Sequence, residues 1–154
     1  MSNELLIRMG EDRDVETLVN SNIAMAWETE QKKLSPDVVA RGVRNLLSHP
    51  RYGFYVVVEI DDEVVGSLMV TYEWSDWRDA SFWWIQSVYI KPAYRKQGVF
   101  RQLYQFVKEK ASNEKNICGL RLYVEQDNDV AQDTYKRIGM IRIPYLLYEE
   151  PFES

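Results

Sequence analysis

Gly98 stands among cationic side chains, with Arg95 and Lys96 before it and Arg101 after it, inside the stretch "VYIKPAYRKQGVFRQLYQFVKEKA" at 88 to 111. The stretch runs from apolar, β-branched residues through a proline and a basic cluster into residues of helical periodicity. A strand that ends in a loop and restarts as a helix leaves the helix's first N–H groups without intrahelical partners, and the helix dipole makes that end partly positive. Gly98 would let the backbone approach an anion with no Cβ between them, while Arg95, Lys96 and Arg101 can pair with phosphate oxygens. The chemistry implied is a phosphate cradle; a solvated loop with a glycine in it fits the same spacing. The chain has neither a glycine-rich loop ending in Lys-Ser or Lys-Thr nor G-x-G-x-x-G, which disfavours a P-loop and a dinucleotide fold. Pro92 holds Lys91 extended and ends the strand's ladder there.

The elements that must position this junction follow from periodicity. "ELLIRMG" reads as a strand, and Val15, Leu18, Val19, Ile23 and Ala26 recur at helical spacing after it. Ser35 before Pro36 is a helix start, serine as cap and proline in the first turn. That helix puts Val39, Gly42, Val43, Leu46 and Leu47 on one side. "GFYVVVEI", an acidic "DDE" turn and "VVGSLMVTYEW" predict a hairpin. "SFWWIQSVYI" is nearly unbroken apolar, as expected of a central strand covered on both faces. After the helix that follows Gly98 come a strand "ICGLRLYVE", a short helix "NDVAQDTYKRIG" closed by Gly139, and a final β segment "MIRIPYLLYE" interrupted by Pro144. The order is mixed α/β, with neither repeat nor linker, and residues 1–154 read as a single domain.

Composition narrows the function classes. The chain has 154 residues, 45% apolar and 28% charged, which is globular, and its net charge of −5 offers no basic footprint for nucleic acid. Cys118 is the only cysteine, so no intramolecular disulfide can form and a reducing cytoplasm fits. It is expected to be a small buried hydrophobe, and His49 a helix-end or surface residue. No signal-like or membrane-spanning run and no zinc-ligand spacing is seen, so neither membrane nor metal is expected.

Two motifs carry a resemblance. "VYIKPAYRKQGVFRQLYQFV" is similar to the acyl-CoA pyrophosphate loop of the GNAT superfamily of N-acetyltransferases, R/Q-x-x-G-x-G/A, which Arg95 and Gly98 match and Phe100 does not. "NDVAQDTYKRIGM" resembles the family's N-x-x-A-x-x-x-Y-x-x-x-G-F/M segment at Asn128, Ala131, Tyr135, Gly139 and Met140. The resemblance implies a GNAT-like α/β fold, with a central, mostly antiparallel mixed sheet of about six to seven strands flanked by about four helices. It implies acetyl-CoA as cosubstrate. The amides of Gln97, Gly98, Val99, Phe100 and Arg101 would cradle the pyrophosphate, with Arg95 seating the loop and Lys96 beside it. Phe100 is expected to turn inward. Val88, Tyr89 and Ile90 would pair their backbone with the pantetheine arm, as an added strand pairs with a sheet edge. Asn128, Ala131 and Tyr135 would line the same cofactor.

The implied reaction is direct attack of an amine on the thioester. The ammonium must lose a proton, and the leaving thiolate must be stabilised or protonated. Tyr135 matches the family's tyrosine for the second task; a core tyrosine on a stripe with Ala131 and Ile138 is the alternative. For the base, the family's strand glutamate position is occupied by Trp84, so Glu73 and then Glu28 are the candidates, either of which also reads as an ordinary exposed glutamate. Tryptophans 27, 74, 77 and 84, interleaved with Glu28 and Glu73, are expected at the acceptor end. There Trp27, Trp74, Trp77 and Trp84 could form an aromatic, acidic pocket for a small cationic amine. Trp83 and Trp84 also read as core filling. An open groove would instead favour a peptide or protein amine, and acyl-CoA binding without turnover would mark a non-catalytic module. Homodimer and monomer both stay open, the terminal strand with Pro144 offering an edge for pairing or exchange.

Overall fold

The structure, a computed structural model, describes residues 4–153. The chain divides into two compact units, Met1–Tyr123 and Val124–Ser154. The first unit holds strands β1 (Leu5–Met9), β2 (Gly53–Ile60), β3 (Glu63–Ser75), β4 (Ala80–Ile90) and β5 (Ile117–Arg121). It also holds helices α1 (Val15–Glu30), α2 (Pro36–Ser48) and α3 (Val99–Asn113). The second unit contributes α4 (Asp129–Arg137), which makes four helices among the described residues.

The strands follow one another across a single sheet in the order β1-β2-β3-β4-β5. The first three pairings are antiparallel, and β5 runs parallel to β4. The predicted acidic hairpin is present. Asp61 (φ 52°) and Asp62 (φ 63°) are both left-handed between β2 and β3, the backbone that matches the twist of a two-residue turn. At α2, the Ser35 hydroxyl accepts from the Val38 N–H at 3.4 Å and Pro36 opens the helix, as its sequence predicts.

Side-chain alternation divides the sheet into two faces. On one face, Tyr55 and Val57 pack with Leu18 and Val19 of α1 and Val43 and Leu46 of α2. Phe54 faces the other way, where its ring lies beneath Lys110 of α3 at 5.7 Å. α3 buries Val99, Leu103, Tyr104, Val107 and Ala111, with Tyr104 more deeply placed than Phe106. Arg8 on β1 ties β1 to the entry of α1 and to β2, through Asp14 at 2.8 Å and Glu59 at 3.2 Å. Burial alone would raise the Asp14 carboxyl, but hydrogen bonds from Arg8 and the Glu11 backbone outweigh it and hold the group below its ordinary value.

Two expectations need correction. The sheet has five strands among the described residues, not six to seven, because 140–149 forms no strand. An apolar, β-prone segment becomes a strand only when a neighbour supplies its hydrogen bonds, and Pro144 removes one donor outright. Cys118 is exposed rather than buried. β5 is the last strand of the sheet, and alternation turns Cys118 away from the side that half-buries Ile117 and Gly119.

Candidate active site

The strand-to-helix junction is built as its residues require. β4 ends at Ile90, a single 3-10 turn spans Pro92–Tyr94, and α3 begins after Gly98, which is its N-cap with φ 78°. A Cβ built on Gly98 meets nothing within 4 Å, so open space lies over the start of the helix. Lys96 is also left-handed (φ 61°) and exposed, and Gln97 steadies the turn by donating from Nε2 to the Ala93 carbonyl at 3.0 Å. The amides of Gly98, Val99 and Arg101 belong to the first helical turn, where no carbonyl four residues back is in place to receive them. Phe100 is half-buried, its ring 6.3 Å from that of Tyr104.

β4 itself is opened beside this junction. Its register with β3 shifts between Ser67 and Met69, so that β4 carries one extra residue, and Ser87 takes a left-handed φ of 51°. Its pairing with β5 ends at Trp84 and Arg121. From Ile85 to Ile90 the strand therefore has β3 on one side and no sheet strand on the other among the described residues. Val88, Tyr89 and Ile90 lie on this open length.

Arg95 does two things at once. Its Nε donates to the Ile90 carbonyl at 2.8 Å, closing the loop onto the strand end, and its Nη2 donates to Glu28 Oε2 at 2.8 Å. The Tyr89 hydroxyl donates to Glu28 Oε1 at 3.4 Å. Burial first, and the Glu28 charge second, push the Tyr89 phenol above its ordinary value. Glu28, expected near the acceptor, is thus tied by one carboxylate oxygen to the loop and by the other to β4.

Glu73 occupies different surroundings. It stands opposite Phe82 in the ladder, on the sheet face that α1 and α2 cover further along. Trp84 Nε1 donates to its Oε1 at 2.9 Å, and Arg121 donates to the same oxygen at 2.8 Å. The Trp84 bond and the Arg121 charge hold the Glu73 carboxyl below its usual range, against a smaller opposing effect of burial. The Arg121 guanidinium lies 3.6 Å above the Phe82 ring, and Gln86 donates to the Thr71 hydroxyl next along this face. Thr71, Glu73, Phe82, Trp84, Gln86 and Arg121 therefore form a polar and aromatic patch beside the open length of β4. Sequence reasoning missed Arg121 and Gln86. The alternation in "LRLY" could have flagged a cation facing into the sheet, but only the fold brings it to Glu73.

The remaining aromatic residues stand in different surroundings. Trp83 is buried against Phe54 and Tyr72, with ring centroids 5.2 and 6.2 Å away, so it fills core. Trp74 is exposed, and Trp77 on the β3–β4 turn is 86% exposed. Trp27 lines a separate apolar hollow of about 380 Å³ with Ile23, Leu34 and Pro36, whose rim carries Lys32 and Lys33 rather than acids. His49 caps the end of α2 through the Asn45 carbonyl at 2.7 Å and stacks on Tyr52.

In the second unit, Asn128 is the N-cap of α4, its Oδ1 accepting from the Ala131 N–H at 3.1 Å. The helix closes at Gly139 (φ 105°) with the Met140 N–H on the Tyr135 carbonyl at 3.0 Å. Tyr135 is half-buried, and burial pushes its phenol above the ordinary value.

Comparison with known proteins bears on this geometry. A sequence model of the acetyltransferase (GNAT) family matches residues 16–140. A thialysine N-epsilon-acetyltransferase of Bos taurus is 34% identical over 76 residues, 49% of this chain and 44% of that protein, so the match spans less than half of the relative. The crystal structure of a possible acetyltransferase from Clostridium difficile 630 is 41% identical with a TM-score of 0.90, covering 97% of this chain and 99% of that one. An aminoglycoside N-acetyltransferase solved in complex with CoA shares the fold at 14% identity and a TM-score of 0.79, over 98% and 97% of the two chains. A left-handed glycine at a strand-to-helix junction, a bulged and half-open β4, and a family match across most of the chain lead to one conclusion: the protein belongs to the acetyltransferase (GNAT) family, the N-acetyltransferases of the acyltransferase class.

Proposed function

We propose that residues 1–154 act as one catalytic domain that transfers the acetyl group of acetyl-CoA to the primary amine of a small, cationic acceptor. The observation that carries this reading is the junction at Gly98 beside the open length of β4. An anion can sit over the helix start while an extended chain runs along Ile85–Ile90. The pyrophosphate and pantetheine of acetyl-CoA have those two shapes, and Val88, Tyr89 and Ile90 offer the pantetheine a strand edge. Gln97, Gly98, Val99, Phe100, Arg101 and Lys96 surround the pyrophosphate in this reading, and Asn128, Ala131 and Tyr135 are assigned to the cofactor by their motif.

The acceptor amine attacks the thioester carbonyl carbon. The C–N bond forms, the C–S bond breaks, and the amine proton and the thiolate each need a partner. Glu73 is the better candidate for the first. Both of its donors fall on Oε1, which leaves Oε2 to receive a proton directly or through a water, whereas both oxygens of Glu28 are engaged. Its lowered pKa keeps Glu73 ionised throughout the neutral range, so it draws an ammonium into place as well. Glu73→Gln retains an acceptor oxygen for Trp84 and Arg121. Turnover is expected to fall about 100-fold with acetyl-CoA affinity unchanged, and unaltered turnover would remove Glu73 from this role.

Thiol release from acetyl-CoA tests the whole reading, measured across an amine panel that includes thialysine, an aminoglycoside and lysine-containing peptides. Amine-dependent release with a small acceptor is the expected result. The exposure of Trp74 and Trp77 favours a second reading, in which an open surface presents a peptide amine; release with peptides alone would select it. Acetyl-CoA binding with no release for any amine would make the chain an acyl-CoA-binding module.

A further inference from the structure

Two side chains on neighbouring strands converge on one oxygen. Trp84 and Arg121 face each other in the β4–β5 ladder, and Trp84 Nε1 and Arg121 Nη1 both donate to Glu73 Oε1, at 2.9 and 2.8 Å. Glu73 Oε2 receives no hydrogen bond among the described residues. The guanidinium has a platform of its own, the buried Phe82 ring, whose centre lies 3.6 Å away. Gly119, two residues earlier on the same face of β5, makes room for that ring, since a Cβ built there would come within 2.8 Å of Phe82 Cε1.

A second arginine–carboxylate pair in the same molecule is built differently. Arg8 takes Asp14 by both oxygens, Nη1 on Oδ2 at 2.8 Å and Nη2 on Oδ1 at 2.9 Å. That two-pronged grip adds energy and geometric specificity, and it engages the whole carboxylate. Arg121 forgoes it. Laid over Phe82, it reaches Glu73 through one nitrogen, and the Trp84 indole takes the same oxygen, so two donors fix the carboxylate without covering Oε2. We propose that Arg121 is a positioning residue for acetyl transfer, holding Glu73 by Oε1 so that Oε2 is presented to the acceptor amine. The inference rests on Glu73 as the base of the proposed reaction and adds the group that aims it.

The same contact sets how basic Glu73 is. Two cations face it, Arg121 from β5 and Arg78 from the β3–β4 turn. The Trp84 bond first, then the Arg121 bond and charge and the Arg78 charge, hold the carboxyl below its ordinary value against the opposing effect of burial. Removing the Arg121 charge raises that value, so the base becomes protonated, and activity is lost, at a higher pH as the solution is acidified.

Arg121→Gln keeps an N–H donor and removes the charge, whereas Arg121→Lys keeps the charge and loses the flat fork. Both are compared with the native chain and with Glu73→Gln by thiol release, using the fastest acceptor of the panel of thialysine, aminoglycoside and lysine-containing peptides. Circular dichroism and calorimetric titration with acetyl-CoA check fold and cofactor affinity. Arg121→Gln is expected to lower kcat about 10- to 100-fold with KM for acetyl-CoA unchanged, and to move the acidic limb of the pH profile upward. Arg121→Lys should leave that limb near its native place and recover part of kcat. In the Glu73→Gln background Arg121→Gln should cost nothing further, because no base is left to aim. If kcat falls in Glu73→Gln but not in Arg121→Gln, or if the Arg121→Gln loss is equally large in the Glu73→Gln background, the positioning role is overturned and Glu73 stands as the base. Unaltered turnover in Glu73→Gln, or no release with any of these amines, overturns the base itself and the positioning role with it.

Discussion

Replacing Gly98 by glutamate is expected to weaken acetyl-CoA binding by at least about 100-fold, because setting a carboxylate against a pyrophosphate costs several kcal/mol and each 1.4 kcal/mol is tenfold in affinity. The position is open, a built Cβ meeting nothing within 4 Å, so the new side chain has room to project where the anion would sit rather than into the core. A backbone penalty accompanies the charge, since φ 78° is left-handed and a side chain there costs about 1–2 kcal/mol. Gly98→Asn separates the two effects. Asparagine tolerates the left-handed region and adds no charge, so this variant should retain most of the affinity and, in a thermal melt, stay close to the native protein. Calorimetric titration of the three proteins with acetyl-CoA reads the difference directly. If the glutamate variant binds as the native chain does, the pyrophosphate lies elsewhere and the roles proposed for 95–101 fall together.

Tyr135→Phe carries the second large effect: kcat is expected to drop about 10²- to 10⁴-fold while the affinity for acetyl-CoA stays as it was. Burial raises the phenol above its ordinary value near 10, so the proton is held throughout the neutral range, the state that an acid requires. A thiolate of reference pKa about 8.5 is less basic than that phenolate, so full proton transfer from the phenol is uphill, and the phenol acts by donating a hydrogen bond to the sulfur as the C–S bond breaks. The pH profile has a defined sign. Because the pKa is raised, activity owed to the protonated phenol is fully present at neutral pH and declines only as pH climbs past 10; the phenylalanine variant lacks that alkaline decline. A loss confined to KM, with kcat intact, would make Tyr135 a packing residue on α4 and leave thiolate protonation to solvent.

Local chemistry made much of this fold legible. Asp61 and Asp62 marked the hairpin turn, Ser35 and Pro36 the start of α2, and Gly98 and Gly139 two helix boundaries, each through backbone preferences that act within a few residues. Apolar periodicity also located the stripe of α1. What stayed hidden depends on partners far away in sequence. Arg121 meets Glu73 across 48 positions, and Arg95 meets Glu28 across 67, distances over which no spacing rule operates. The same limit explains the final segment, whose pattern is that of a strand while the existence of a neighbour to pair with is not a property of the pattern. It also explains the tryptophans. Their positions along the chain were clear, yet Trp83 faces the core, Trp84 turns to Glu73, and Trp27 lines a hollow shared with two lysines.

The bridge between Arg95 and Glu28 has a consequence for communication across the protein. A single guanidinium joins the last turn of α1 to the loop after β4, so any anion that draws Arg95 toward itself returns a full negative charge to Glu28. The two places are then thermodynamically linked, and linkage is reciprocal. By whatever factor an anion over the loop strengthens the hold of α1 on a cation, that cation strengthens the hold of the loop on the anion.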